Sequence, residues 1–160
     1  MRARHAIPAL CILLAAMMAG SGCTGIPGGA PAVTTPDPIV GSWLFAPADD
    51  PAILELYIFK ESGRFDATQF PKNPAETLPY ELYATGTWTR TGDTGYALIG
   101  NAIYHNFSPD THSNQKIRVS LTYNPLADSL YLSGEPGNRM IRVSREPVIP
   151  PGMNVSFPFD

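Results

Sequence analysis

Strict alternation of apolar and polar residues is the feature that most limits how this chain can fold. In segment 116–123 the apolar side chains fall on one face, namely Ile117, Val119, Leu121 and Tyr123. A period of two indicates a β-strand with one buried side. Turn residues fill 124–128, and the alternation resumes at 129–133 and again at 139–144. This half of the chain is therefore predicted to be an antiparallel meander.

Five earlier segments have the same character: 39–46, 53–60, 64–70, 80–90 and 95–105. The chain contains 17 prolines and 14 glycines, and those between the segments predict turns. Only 70–79 and 106–115 are expected to be longer connections. Eight such segments predict an all-β domain, either an up-and-down barrel or a two-sheet sandwich. A barrel of that size is filled by its own side chains or holds one small ligand.

The first 22 residues are predicted to be a signal peptide. Arg2 and Arg4 precede an apolar run over 6–19, and small residues at 20–22 suit a peptidase. A membrane-spanning helix needs about 20 apolar residues, so this run is short for a permanent anchor. No later segment is long and apolar enough to span a membrane.

The residues Ser21-Gly22-Cys23 resemble the end of a prokaryotic lipoprotein signal, in which small residues precede a cysteine that receives lipid. That family usually has Leu where Gly20 stands. The resemblance implies lipid on Cys23 and anchoring to the outer face of a cell-envelope membrane. The alternative is an ordinary secretory cleavage that releases the protein. Cys11 lies in the leader, so the mature domain cannot form an internal disulfide.

Composition divides the rest of the chain into three parts. Residues 23–38 are rich in proline and glycine, and we expect a flexible linker because little apolar surface offsets its ordering entropy. The β domain is assigned to 39–145. Residues 146–160 form a proline-rich tail with several apolar side chains, which we expect to pack along the domain.

The chain contains two Gly-x-Trp motifs, Gly41-Ser42-Trp43 and Gly86-Thr87-Trp88, which are expected to play the same structural role. Each is predicted to use its glycine for close backbone approach and its tryptophan as a large plug in the core.

The first of these motifs lies on the first predicted strand and resembles lipocalin-like domains. In that family the tryptophan closes one end of the barrel, and an arginine near the last strand packs on it. The resemblance implies that Trp43 closes the barrel with Arg139 or Arg142. It also implies a calyx for a small apolar ligand. Trp43, Trp88 and Arg142 are the residues expected to pack at the barrel end or to line that ligand.

The charge balance narrows the class of partner. From Cys23 onward the chain has 9 lysines and arginines and 14 aspartates and glutamates, a net charge of −5. A nucleic-acid partner would require a basic face, so none is predicted. Electrostatic adhesion to anionic lipid is disfavoured for the same reason.

Catalytic and cofactor motifs are absent from the sequence. It contains no serine elbow, Cys/His pair, HExxH, phosphate loop or calcium loop, so neither an enzyme nor a cofactor is predicted. His105, Asp110 and His112 are of the types that bind zinc-class metals. Their spacing matches no metal motif, and they are expected in a solvated loop. Asn106 and Asn154 begin glycosylation sequons, whose use stays open.

Together these features predict an exported, membrane-anchored module that binds a small ligand or a partner. The alternative is a structural or interaction protein of the cell envelope with a filled core and no ligand. An apolar-lined interior with an open mouth would favour the first prediction. A solid core beneath a large exposed apolar patch would favour the second.

Overall fold

Eight strands form a closed antiparallel barrel in which each strand pairs with the next and β8 returns to β1. The computed structural model describes residues 35–133, 137–155 and 157. The strands are β1 (Gly41–Phe45), β2 (Ile53–Phe59), β3 (Arg64–Pro71), β4 (Tyr80–Arg90), β5 (Gly95–Phe107), β6 (Asp110–Asn124), β7 (Ser129–Leu132) and β8 (Arg139–Ser144). The all-β prediction is confirmed, and the up-and-down barrel, rather than the sandwich, is the architecture.

The predicted signal peptide, Cys23 and nearly all of the predicted linker lie outside the described residues. Within the part of the chain that is described, no helix has the length and apolar character needed to cross a membrane.

One predicted connection is wrong. Segment 106–115 was expected to link two strands, but β5 continues to Phe107 and β6 already begins at Asp110. Residues 111–115 are polar on both faces, so they carry no apolar alternation that could indicate a strand. Their pairing is made by the backbone, which forms the ladder whatever the side chains are.

Inward-facing apolar side chains fill the barrel from one end. They form one cluster made of Ile39, Trp43, Phe45, Phe59, Phe65, Ala67, Ala84, Tyr96, Leu98, Leu121, Leu130 and Met140. Fully burying a large apolar side chain contributes about 1.5–3 kcal/mol, so this cluster is the main source of stability. We call this end of the molecule the closed end.

The two motif glycines stand where no side chain fits. Gly41 has a φ of +131°, and a Cβ there would lie 2.5 Å from the Ser144 carbonyl oxygen. Gly86 pairs with Gly100 across β4 and β5. A Cβ on Gly86 would lie 2.2 Å from the Ile99 carbonyl oxygen. Close approach of neighbouring backbones therefore requires glycine at both positions.

The C-terminal segment packs on the outside of the barrel. Ser42 points outward on β1 but is fully buried. Its hydroxyl donates a hydrogen bond to the Val148 carbonyl, and the Val148 N–H donates in return to Ser42 Oγ. Residues 152–155 share a groove with Thr68 on the outer face of β3. The tail thus covers part of the wall formed by the first strands.

The hairpin of β5 and β6 extends beyond the neighbouring wall. β7 pairs only with the last part of β6, from Leu121 to Asn124. Among the described residues, 110–119 of β6 pair as a strand with β5 alone. The tip of this hairpin therefore projects from the barrel with one free edge.

Candidate functional site

Trp43 and Arg142 meet at the closed end. Trp43 is fully buried, and its Nε1 donates a 2.8 Å hydrogen bond to the Ile39 carbonyl. The Arg142 Cζ lies 4.0 Å from the centroid of the indole ring. Arg139, the other arginine that the lipocalin resemblance offered, is exposed, because it lies one residue from the inward-facing Met140.

The Arg142 guanidinium ties three parts of the chain together. Its Nε lies 3.0 Å from both carboxylate oxygens of Asp128, in the turn between β6 and β7. Its Nη1 donates to the Val40 carbonyl at 2.7 Å, and its Nη2 donates to the Pro38 carbonyl. The side chain is only 8% exposed. The last strand is thereby joined to the segment that enters the first.

Asp128 receives further support from its surroundings. Tyr123 donates a 3.0 Å hydrogen bond to it, and Arg145 lies 3.3 Å away. Burial acts to raise the pKa of Asp128, but hydrogen bonds from Arg142 and Tyr123 and the charges of both arginines lower it. Burial, with this carboxylate nearby, raises the pKa of Tyr123. Asp128 thus joins Arg142, Arg145 and Tyr123 in one hydrogen-bonded cluster at the closed end.

Trp88 lies at the same end but is only partly buried. Its Nε1 donates to the Lys60 carbonyl at 3.0 Å, and its ring centroid lies 6.0 Å from that of Tyr96. Tyr96 in turn donates a 2.7 Å hydrogen bond to Asp37. Burial, and then this hydrogen bond, raises the pKa of Tyr96. Trp88 thus packs against the rim of the core.

At the opposite end a carboxylate faces into the barrel. Glu55 pairs with Phe45 on one side and with Gln69 on the other, and directly paired residues share a face. Gln69 donates to Glu55 Oε1 at 2.6 Å, and Tyr57 donates to Oε2 at 2.7 Å. Burial, and then the adjacent Glu55 charge, raises the pKa of Tyr57 well above its ordinary value. The pair Glu55 and Gln69 is called the inner polar pair below.

Two tyrosines, one on β4 and one on β5, pack against each other. The rings of Tyr80 and Tyr104 have centroids 4.9 Å apart. Burial raises the pKa of Tyr80, with smaller contributions from Asp50, Tyr104 and Glu55. Tyr80, like Gln69, lines the groove described next.

A groove of about 540 Å³ opens where β3 and β4 separate. The two strands pair only between Arg64–Thr68 and Tyr83–Thr87, and 72–79 spans the gap beyond. The groove, called the side groove below, is lined by Thr68, Gln69, Phe70, Pro71, Lys72, Pro74, Glu76, Thr77, Leu78, Tyr80, Glu81, Tyr83, Phe107, Gly152, Met153, Asn154 and Val155. Gln69 belongs to both, so the side groove meets the inner polar pair at Gln69, whose side-chain amide donates to Glu55.

A second groove, of about 610 Å³, crosses β3 to β6 around Gly86 and Gly100. Its charged lining consists of Arg64, Lys116 and Arg118. This is a local basic surface on an acidic protein.

The tip of the β5–β6 hairpin gathers the histidines. His105 and His112 are direct cross-strand partners, and their rings stack with centroids 4.0 Å apart. Asp110 Oδ1 lies 2.9 Å from His105 Nε2 and 3.5 Å from His112 Nε2. Glu81 Oε2, on β4, lies 3.7 Å from His105 Nδ1. The predicted solvated loop is thus a strand pair with three potential metal ligands on one face.

Glu55, Gln69 and Glu81 were missed as site residues in the sequence. The sequence does carry a sign of Glu55: it alternates with Tyr57 and Phe59, which places it on the inward face of one strand. A charged residue at an inward position is unusual enough to mark a site. No local pattern indicates Glu81, since its neighbour His105 is brought to it only by the pairing of β4 with β5.

Comparison with known proteins gives no relative from which the role of these sites could be inferred. No protein-family model, curated protein or solved structure matches the chain. The fold is a small antiparallel barrel compatible with the calycin-like architecture. Function does not follow from that fold alone, so it is inferred below from the chemistry of the sites.

Proposed function

We propose that the protein is an exported binding module for a small, largely apolar ligand, held at a cell-envelope membrane by lipid on Cys23. The side groove, which meets the inner polar pair at Gln69, is the observation that supports ligand binding. Its volume falls within the range of about 300–1,000 Å³ typical of small-molecule sites. Export and anchoring are supported by the apolar leader and by Ser21-Gly22-Cys23.

The lining of the side groove favours an aromatic or aliphatic ligand that carries one donor group. Phe70, Tyr83 and Met153 offer apolar contact along its length. Glu55 uses one lone pair of each oxygen for its protein partners, and a carboxylate oxygen accepts more than one hydrogen bond. An N–H or O–H of the ligand would be recognised there.

The closed end is not the expected route of entry. Trp43 and its neighbours fill it, and the polar groups of Arg142 are occupied by Asp128 and by backbone carbonyls. A ligand would therefore approach through the gap between β3 and β4, beside residues 72–79 and the tail.

The alternative, an envelope interaction protein without a ligand, is favoured by a different observation. Residues 110–119 of β6 leave a strand edge with no strand partner among the described residues. Such an edge accepts an added strand from another protein.

The two functions are distinguished by binding of N-phenyl-1-naphthylamine, an apolar probe with one N–H donor. We expect its fluorescence to rise with the full chain when the detergent is kept below its critical micelle concentration, since micelles bind the probe themselves. Tyr80→Ala and Glu55→Gln should each weaken binding by about tenfold, the equivalent of 1.4 kcal/mol. Thr87→Ala, in the second groove, is the matched control and should bind as the wild type does.

Native mass spectrometry of protein extracted from its own cells provides the second measurement. A retained molecule of defined mass, lost in Tyr80→Ala, would support the proposal. A chain that carries only acyl mass, together with probe binding that the groove variants do not change, would contradict it and leave the interaction role.

A further inference from the structure

The hairpin tip has the donor geometry of a metal site. The ligand atoms of His105, Asp110 and His112 all lie within 4.8 Å of one another. Zinc bonds of about 2.0–2.1 Å in a tetrahedral site hold neighbouring ligand atoms about 3.4 Å apart. The two distances from Asp110 Oδ1, 2.9 Å to His105 and 3.5 Å to His112, bracket that spacing. The donor spacing therefore suits a tetrahedral ion once the two stacked imidazoles turn so that their lone pairs converge on it.

The backbone holds these donors in place. His105 and His112 face the same side because they are paired across β5 and β6, and their rings lie nearly parallel, at 19°. Asp110 pairs with Phe107 at the last rung of the ladder. The Phe107 ring also meets His105 edge-on, with centroids 4.9 Å apart. The three donors thus stand on paired strands rather than on a free loop.

Glu81 supplies an outer contact that metal-binding histidines commonly have. If Nε2 of His105 binds the ion, Nδ1 carries the ring proton and faces Glu81 Oε2 at 3.7 Å. A carboxylate in that position fixes the tautomer and raises the basicity of the ligand. The carboxylates of Asp110 and Glu81 would also balance the two positive charges of the ion.

We propose that His105, His112 and Asp110 bind a divalent transition-metal ion of the zinc class, with Glu81 as the positioning residue for His105. Two imidazoles and one carboxylate suit zinc and its neighbours, whereas calcium and magnesium prefer oxygen donors alone. Three protein ligands leave the fourth position of a tetrahedral ion open. Glu81 and Phe107 also line the side groove, so the ion would lie at its rim. Metal binding does not depend on the ligand proposed for the groove.

The test is calorimetric titration of Zn²⁺ into the full chain in detergent at neutral pH. We expect one ion per chain, and loss of that binding in both His105→Ala and His112→Ala. Glu81→Gln should weaken binding by about tenfold, as outer-shell changes do. Asn114→Ala is the matched control, because Asn114 is exposed on the same hairpin, and it should bind as the wild type does.

Cysteine thiolates also bind zinc, so a second measurement must show that the ion is not bound by Cys11 or Cys23. Co²⁺ in place of Zn²⁺ should give the absorption of a tetrahedral nitrogen and oxygen site, without the charge-transfer band of a thiolate ligand. Far-ultraviolet circular dichroism checks that each variant folds, and His112→Gln replaces any alanine variant that does not. Absence of binding in the wild type, or binding that both histidine variants retain, would overturn the proposal.

Discussion

Arg142 lies over the indole of Trp43, its directly paired neighbour where β8 meets β1, with its Cζ 4.0 Å from the ring centroid. The same guanidinium binds Asp128 and the carbonyls of the segment that precedes β1. Arg142 therefore makes the side-chain contacts that join the last strand to the first and close the barrel.

Replacement of Arg142 by alanine should destabilise the barrel. The variant loses the contact with Trp43 and leaves the Asp128 carboxylate and two carbonyls without their donor, a cost of about 2–3 kcal/mol. Urea unfolding followed by tryptophan fluorescence measures it. Arg139→Ala, on the exposed side of β8, is the control and should stay within about 0.5 kcal/mol of the wild type. Equal effects of the two variants would contradict this account of closure.

Asp128 should make the protein sensitive to acid. Its pKa in the folded protein lies below the ordinary value of 3.8, so its contribution to stability is present above that pH and disappears as the pH falls through the lowered pKa. The wild type should therefore lose stability below about pH 4 more steeply than Asp128→Asn. Urea midpoints in a pH series test this, and parallel curves for the two proteins would count against it.

Tyr57 should make the stability of the protein sensitive to alkaline pH. Its folded pKa is raised by burial and by Glu55, so the stability associated with its neutral hydroxyl is present below the unfolded pKa, near 10. That stability is lost as the pH rises beyond this value. Tyr57→Phe should start less stable by about 1 kcal/mol, because it lacks the bond to Glu55. It should then lose less as the pH is raised, in the same urea assay.

Gly41 should not tolerate even a methyl group. Its φ of +131° and the Ser144 carbonyl at 2.5 Å from a built Cβ predict strain and displacement. Gly41→Ala should cost about 2 kcal/mol or more. Gly92→Ala is the control, because a Cβ there meets nothing within 4 Å. Thermal unfolding compares them, and a neutral Gly41→Ala would show that the backbone at this position relaxes easily.

Alternation of side chains was sufficient to predict the eight strands, because each has one apolar face. The choice of barrel over sandwich depends on pairing between Trp43 and Arg142, which are distant in the chain and linked by no local pattern. The hairpin tip was missed because residues 111–115 lack an apolar face. The side groove could not be predicted from the sequence either, since it arises where two strands stop pairing.

The free edge of β6 also limits how copies of this protein meet. Between Asp110 and Ser120 its outward-facing side chains are all polar, and Lys116 and Arg118 stand in succession on that face. In a register that sets Lys116 of one edge opposite Arg118 of the other, two such edges would place cations directly across from each other, which weakens strand pairing. Repulsion between these cations thus disfavours a continuous sheet built from this edge of neighbouring copies.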